Sequence, residues 1–160
     1  MTVPHVLTDD VADLARRFSG LERLFGVGPA ARIRQARVAV VGIGGVGSWS
    51  AEALARSGVG HLTLIDLDHV AESNINRQVH ALQATLGQAK VQAMRERIAQ
   101  INPACVVHGV EEFVDAGNWP AVLPVGVDAV IDACDQVRAK VAMADWARQS
   151  QSVFITVGAA

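Results

Sequence analysis

The sequence predicts an α/β domain: a Rossmann-like, doubly wound and mainly parallel sheet with helices on both faces. Three observations carry this. Short β-branched apolar runs alternate with longer stretches of helical periodicity from residue 37 onward. The apolar residues make up 51% of the chain while aromatics are 4% and Tyr is absent, so the core must be Ala, Val, Ile and Leu, the palette of strands buried on both faces. A glycine motif, Gly42-Ile43-Gly44-Gly45-Val46-Gly47, stands where the first apolar run gives way to a helical stretch.

The 160 residues suit one domain at roughly 100–200 residues each, and 19% charged residues exclude a disordered chain. Residues 1–36 read as an N-terminal helical segment. Thr8 caps a helix with Val11, Leu14, Ala15 and Phe18 on one face, residues 19–29 read as a loop, and Pro29 opens a second helix through Gln35. Residues 37–160 read as the nucleotide-binding domain. Its strands fall at 38–41, 62–65, 105–110, 129–131 and 153–157. A helix at 48–57 is closed by Gly58, and another at 86–101 places Val91, Met94, Ile98 and Ile101 on one face before Asn102-Pro103 stops it. A short helix is expected at 118–123 and a longer one at 138–150, with strand order 3-2-1-4-5.

The glycine motif has a physical purpose. A tight turn and the absence of Cβ atoms let backbone approach a phosphate, while the helix behind it offers free N–H groups and a partial positive charge. Asp66 ends the second strand, where a carboxylate accepts from a ribose hydroxyl. The loop by itself fits ATP and a nicotinamide dinucleotide equally, so an NAD-dependent oxidoreductase stands as an alternative, and no Walker-type motif is present. The polar groups at the other strand ends favour a triphosphate: Arg77 after strand two, Lys90 four positions into the following helix, and Asp132 and Asp135 after strand four, one of which is suited to hold Mg²⁺ through oxygen. Such an assembly supports attack of a carboxylate on the α-phosphate of ATP with pyrophosphate as leaving group.

Gly42–Ser48, Asp66-x-Asp68, Asn74-Ile75-Asn76-Arg77-Gln78, Gly87-x-x-Lys90, Ile101-Asn102-Pro103 and Asp132-x-x-Asp135 resemble the ubiquitin-activating-enzyme-like adenylation superfamily. Within it, residues 76–81, 94–98 and 135–140 are most similar to the tRNA threonylcarbamoyladenosine dehydratase branch, over roughly residues 18–160. The resemblance implies an enzyme that adenylates the carboxylate of threonylcarbamoyladenosine in tRNA and lets the activated acyl group cyclise, with ATP and Mg²⁺ as cofactors. It implies nucleotide contacts from Gly42, Gly44, Gly45, Gly47 and Gln78, ribose contact from Asp66 with Asp68 beside it, phosphate contacts from Asn74, Arg77 and Lys90, and magnesium at Asp135. It also implies a homodimer in which Arg23 reaches the partner's ATP. The alternative within the superfamily is a sulfur-carrier adenylyltransferase, whose partner is a sulfur-transfer or ubiquitin-like protein. The resemblance further implies roughly a hundred more residues beyond the fifth strand, an ordinary domain-scale extension.

Other features narrow the class. The net charge of −2 gives no overall attraction to polyanions, so tRNA contact falls to Arg16, Arg17, Arg32, Arg34 and Arg37. Cys105 and Cys134 have no metal-ligand spacing and read as small buried residues, with Cys134 nearer the crevice. His69 and His80 flank the Asn/Arg segment and are candidate acid/base groups; Trp49, Trp119 and Trp146 read as packing anchors. No basic-then-apolar leader and no run of about 18 apolar residues is seen, which predicts a cytoplasmic protein without a membrane span.

Overall fold

The computed structural model describes residues 12–158. Two helices, α1 (Leu14–Phe25) and α2 (Val27–Gln35), precede β1 (Arg37–Val41). There follow α3 (Gly47–Arg56), β2 (His61–Ile65), α4 (Lys90–Ile101), β3 (Val106–Val110), β4 (Ala129–Asp132), α5 (Val137–Ser150) and β5 (Val153–Thr156). The five strands form one sheet in the order β3-β2-β1-β4-β5, every pair parallel. This is the expected Rossmann-like architecture, and the chain leaves β1 toward β2 on one side and returns to β4 on the other, so a crevice opens at the carboxyl end of β1.

Alternation along β1 and β2 sets the two cores. Val38, Val40, Leu62 and Leu64 pack with Ala51, Ala55, Val91, Met94 and Ile98 of α3 and α4. Ala39, Val41, Ile65 and Val130 pack on the opposite face with Ala139 and Met143 of α5 and with Val114 and Trp119. Each large aliphatic side chain removed from water contributes about 1.5–3 kcal/mol, so the central strands hold the layers together. α3 and α4 are also joined through Glu52, a buried carboxylate that receives Arg97 and Arg56; Arg97 first, then Arg56, holds its carboxyl below the usual range against the cost of burial. The bridge joins the middle of α3 to the second half of α4, two helices whose first residues lie at the crevice.

Several element boundaries differ from expectation. Thr8 lies outside the described residues; the observed first helix is capped by Asp13, which accepts from the Arg16 N–H at 2.9 Å. Residues 19–29 are helical rather than a loop: Gly20 costs only about 1 kcal/mol inside α1, and the break falls at Gly26, whose φ of +87° suits glycine. Pro29 sits in the first turn of α2, where its missing N–H costs nothing. α4 begins at Lys90 and not at residue 86, because Leu86 is extended and Gly87 has φ +82°. Residues 118–123 form turns, with the Asp115 carboxylate accepting the Gly117 and Asn118 N–H groups in place of a helix. Trp119 and Trp146 anchor this segment edge to face at 5.2 Å between ring centroids. No helix among the described residues is long and apolar enough to cross a membrane.

Candidate nucleotide site

The glycine loop is built by two close approaches. Gly42 has φ +84°, and its N–H donates to Ile65 at 2.8 Å, tying the end of β1 to the end of β2. A Cβ on Gly47 would stand 1.7 Å from the Gly42 carbonyl oxygen, so only glycine lets α3 start there. No side chain caps α3; its Ser48 and Ser50 N–H groups bond to the Gly44 and Val46 carbonyls at 3.0 Å, and the positive end of the helix stands at the glycine loop, where it favours an anion. The loop forms one wall of a crevice of about 550 Å³, and Gly42, Gly44 and Gly45 line it.

Asp66 links this wall to β2. Its carboxylate accepts the Ile43 N–H at 2.6 Å and the Asp68 N–H at 2.8 Å; burial pushes its pKa up and these two donors oppose the shift. Each oxygen keeps acceptor capacity for a hydroxyl in the crevice. Lys90 lies at the first position of α4 rather than four residues in, and its ammonium meets Asp68 at 2.8 Å with the side chain only 7% exposed. Asp68 therefore holds Lys90 at the crevice edge.

Residues 74–78 close the next side. Asn74 is buried, and its Oδ1 accepts from Ala71 at 2.9 Å, so contact with a ligand falls to its amide NH₂. Arg77 is exposed; its methylenes lie 3.4 Å from a Cβ built on Gly45, while its guanidinium donates to the Ser73 carbonyl at 2.7 Å and Asn76 Oδ1 at 3.0 Å. Gln78 is buried in the crevice lining, and its Oε1 has no hydrogen-bond partner among the described residues. An unmet acceptor in a binding wall is a demand for a donor from a ligand or water.

The two aspartates after strand four separate. Asp132 ends β4 fully buried, accepting from Lys140 at 3.0 Å and Thr156 at 2.6 Å, so it is an internal anchor and not a free metal ligand. Asp135 is exposed and lines the crevice. Among the described residues no group of three metal-ligating side chains occurs, and one carboxylate is what Mg²⁺ needs when phosphates and water supply its other ligands.

Other expected groups fall away from this geometry. The Cys134 thiol lines the crevice, yet burial, then Asp132, which accepts its S–H at 3.1 Å, pushes its pKa up to about 11, leaving it a protonated thiol rather than a nucleophile. Burial likewise pushes Cys105 up to about 11. His80 is buried with both ring nitrogens unpartnered among the described residues, and burial, then Lys90 and Arg97, pushes it down to about 4. Neither His80 nor the exposed His69 lines the crevice. Arg23 lies exposed in the last turn of α1, outside the crevice lining. Three of the basic residues are engaged: Arg17 on the Ile101 carbonyl at 2.9 Å, Arg34 on Glu22 at 2.9 Å and Arg37 on the Val125 carbonyl at 3.4 Å. Sequence reasoning missed Glu112, Phe113 and Val114, which line the crevice just after β3. The signal was their place at the carboxyl edge of a parallel sheet, where loops meet ligands.

Comparison with known proteins agrees with this geometry. The ThiF family model matches residues 18–160. A tRNA threonylcarbamoyladenosine dehydratase of Escherichia coli is 48% identical over 91% of this chain and 54% of its own length, and that of Haemophilus influenzae is 46% identical over 91% and 56%. The crystal structure of the Escherichia coli tRNA N6-threonylcarbamoyladenosine dehydratase in complex with ATP has a TM-score of 0.89 at 47% identity, covering 94% of this chain and 62% of that one. The chain thus spans about half the length of the curated relatives it matches. With a family model covering its sheet, its glycine loop and every residue of the crevice, the chain belongs to the ThiF family.

Proposed function

We propose that the chain carries the ATP-binding and adenylation site of a tRNA threonylcarbamoyladenosine dehydratase. The observation that carries this reading is the crevice itself, which brings glycine loop, Asp66, Arg77, Lys90 and Asp135 around one space of about 550 Å³. A dinucleotide brings only the two charges of its pyrophosphate, whereas two cations together with a free carboxylate suited to a divalent ion match the greater charge of a triphosphate. The relatives named above support both parts of the reading: one has ATP bound in its crystal structure, and all are named for the same tRNA nucleoside.

Each residue then has a task. Loop N–H groups and the start of α3 hold the phosphates, and Asp66 accepts from the ribose. The carboxylate oxygen of the nucleoside attacks the α-phosphorus of ATP, and the bond to the bridging oxygen breaks as pyrophosphate leaves. Arg77 and Lys90 stabilise the charge that develops on the leaving group. Arg77 must leave its Ser73 and Asn76 acceptors to do so, and Lys90 must share itself between Asp68 and phosphate. Asp135 would hold Mg²⁺, whose contribution when bound is to neutralise phosphate charge. Attack by the carbamoyl group within the same side chain on the adenylated carboxyl expels AMP, and the nucleoside has lost one water.

A homodimer completes the proposal. Leu24, Phe25 and Val27 are exposed around the Gly26 turn beside Arg23, an apolar tip with a cation that a second copy would cover, delivering Arg23 to the partner's ATP. Such an enzyme works where tRNA is, in the cytoplasm. The test supplies Mg·ATP and tRNA bearing threonylcarbamoyladenosine, then follows pyrophosphate and the nucleoside mass. Loss of one water supports the reading. Pyrophosphate release with an unchanged nucleoside points to a sulfur-carrier acceptor, and an ATP-independent melting temperature overturns the nucleotide site altogether.

A further inference from the structure

Trp49 lies in the first turn of α3 and is 54% exposed, so core packing does not explain it. Its indole N–H is satisfied by one group, the carbonyl oxygen of Arg77 at 2.9 Å. The neighbouring Ser48 accepts the Val79 N–H on its Oγ at 3.3 Å. Two consecutive residues of α3 thus grip the backbone on either side of Gln78.

The gripped segment needs an external hold. Around Arg77 the chain runs in turns between α3 and α4, without strand or α-helical support. The Arg77 N–H bonds only locally, to the Asn74 carbonyl at 3.2 Å, and its guanidinium bonds to Ser73 and Asn76 of the same turn. The indole bond is therefore what ties the Arg77 main chain to the helix that begins with the glycine loop. The Arg77 side chain lies against Gly45.

We propose that Trp49 is a positioning residue for Arg77, fixing the arginine's backbone to α3 so that its guanidinium swings between the Ser73/Asn76 acceptors and phosphates at the glycine loop without the segment lifting away. The proposal rests on the ATP reading of the crevice. It assigns Trp49 no contact with substrate; the ring acts only through Arg77.

The test is a double-mutant cycle on ATP–pyrophosphate exchange with kcat and KM measured separately, alongside thermal melts with and without Mg·ATP. Trp49→Phe keeps an aromatic side chain, smaller than the indole, and deletes the N–H donor. It should lower kcat/KM roughly 3- to 10-fold, the range of one ordinary hydrogen bond, and leave the melting temperature without ATP close to that of the unaltered protein. In an Arg77→Ala background the same change should cost nothing further, because the group being positioned is gone. Equal losses in both backgrounds, or full activity of Trp49→Phe, overturn the proposal. An unaltered protein whose melting temperature ignores Mg·ATP overturns the nucleotide reading instead, and the two failures are told apart by that control.

Discussion

Asp132→Asn tests whether the base of the crevice is an electrostatic joint. The native carboxylate is fully buried and accepts from Lys140 Nζ at 3.0 Å, Thr156 Oγ1 at 2.6 Å and the Cys134 N–H at 3.2 Å. Lys140, itself 17% exposed, makes one other bond, to the Val157 carbonyl at 2.7 Å. An amide keeps the volume and removes the counter-charge, and its NH₂ turns a donor toward groups that are already donors. Removing one member of a buried pair costs about 3–5 kcal/mol because the other charge is stranded. At about 2–4 °C per kcal/mol for a chain of this size, thermal melts followed by circular dichroism should fall by roughly 6–20 °C. Adding Lys140→Met should recover part of the loss, since a pair replaced on both sides leaves no stranded charge. A melting temperature within about 3 °C of the unaltered protein, or a double variant worse than the sum of the two, would refute the joint.

Four further outcomes follow from the site. Lys90→Met keeps the buried stem and exposes a half-free Asp68, so stability should change by no more than about 1 kcal/mol, while pyrophosphate release falls roughly 10- to 100-fold for the loss of a charged phosphate contact; release within twofold of normal would remove Lys90 from the mechanism. Gly47→Ala places a methyl 1.7 Å from the Gly42 oxygen, so the ATP-dependent rise in melting temperature should vanish, and an unchanged rise would mean the loop does not bind phosphate. Arg23→Ala and Lys90→Met proteins should each be weak alone and regain activity when mixed, because one site of the mixed dimer has both residues; no recovery means Arg23 does not act in trans. The His80 pKa is pushed down to about 4 from an ordinary 6.5, so the unfolded chain binds the proton more readily: that share of stability, about 2–3 kcal/mol, is whole above pH 6.5 and drains as pH falls to 4. Denaturant melts of His80→Leu across this range should show a flatter acid limb, and an identical limb would place the loss elsewhere.

What was legible in the sequence is what repeats or collides. The strand order followed from β-branched runs separated by helical stretches, because a strand buried on both faces is apolar almost throughout, as Val38–Val41 is at every position and Leu62–Ile65 is except at the buried Thr63. The glycine loop was legible because sterics at Gly42 and Gly47 admit no other residue. Helix starts were less so. The helix expected from residue 86 is delayed because Gly87 takes a positive φ and donates its N–H to the Val70 carbonyl at 2.8 Å, while the Val70 N–H donates to the Gln88 carbonyl at 2.8 Å, which pushes the start of α4 to Lys90. In the N-terminal segment the opposite happened: Gly20 looked like a break, but packing of Phe18 into a buried site outweighs one glycine's propensity.

The chemistry at the strand ends was legible by residue type and illegible by role. Asp132 and Asp135 are the same residue three positions apart, and nothing local says which is buried. The decision is made by Lys140 on α5 and Thr156 on β5, 8 and 24 residues away, which arrive only when the sheet closes. Asp66 and Asp68 divide in the same way: one takes two backbone N–H groups and braces the glycine loop, the other takes Lys90. Trp49 reads as a packing anchor because tryptophan is large, and it becomes a clasp only because the Arg77 carbonyl, 28 residues on, comes within 2.9 Å. A carboxylate or an indole in a sequence states which bonds it is able to make; the partner that takes the bond is supplied by topology. Residues proposed to meet the ligand are therefore the readable ones, and those whose partner is another part of the chain are not.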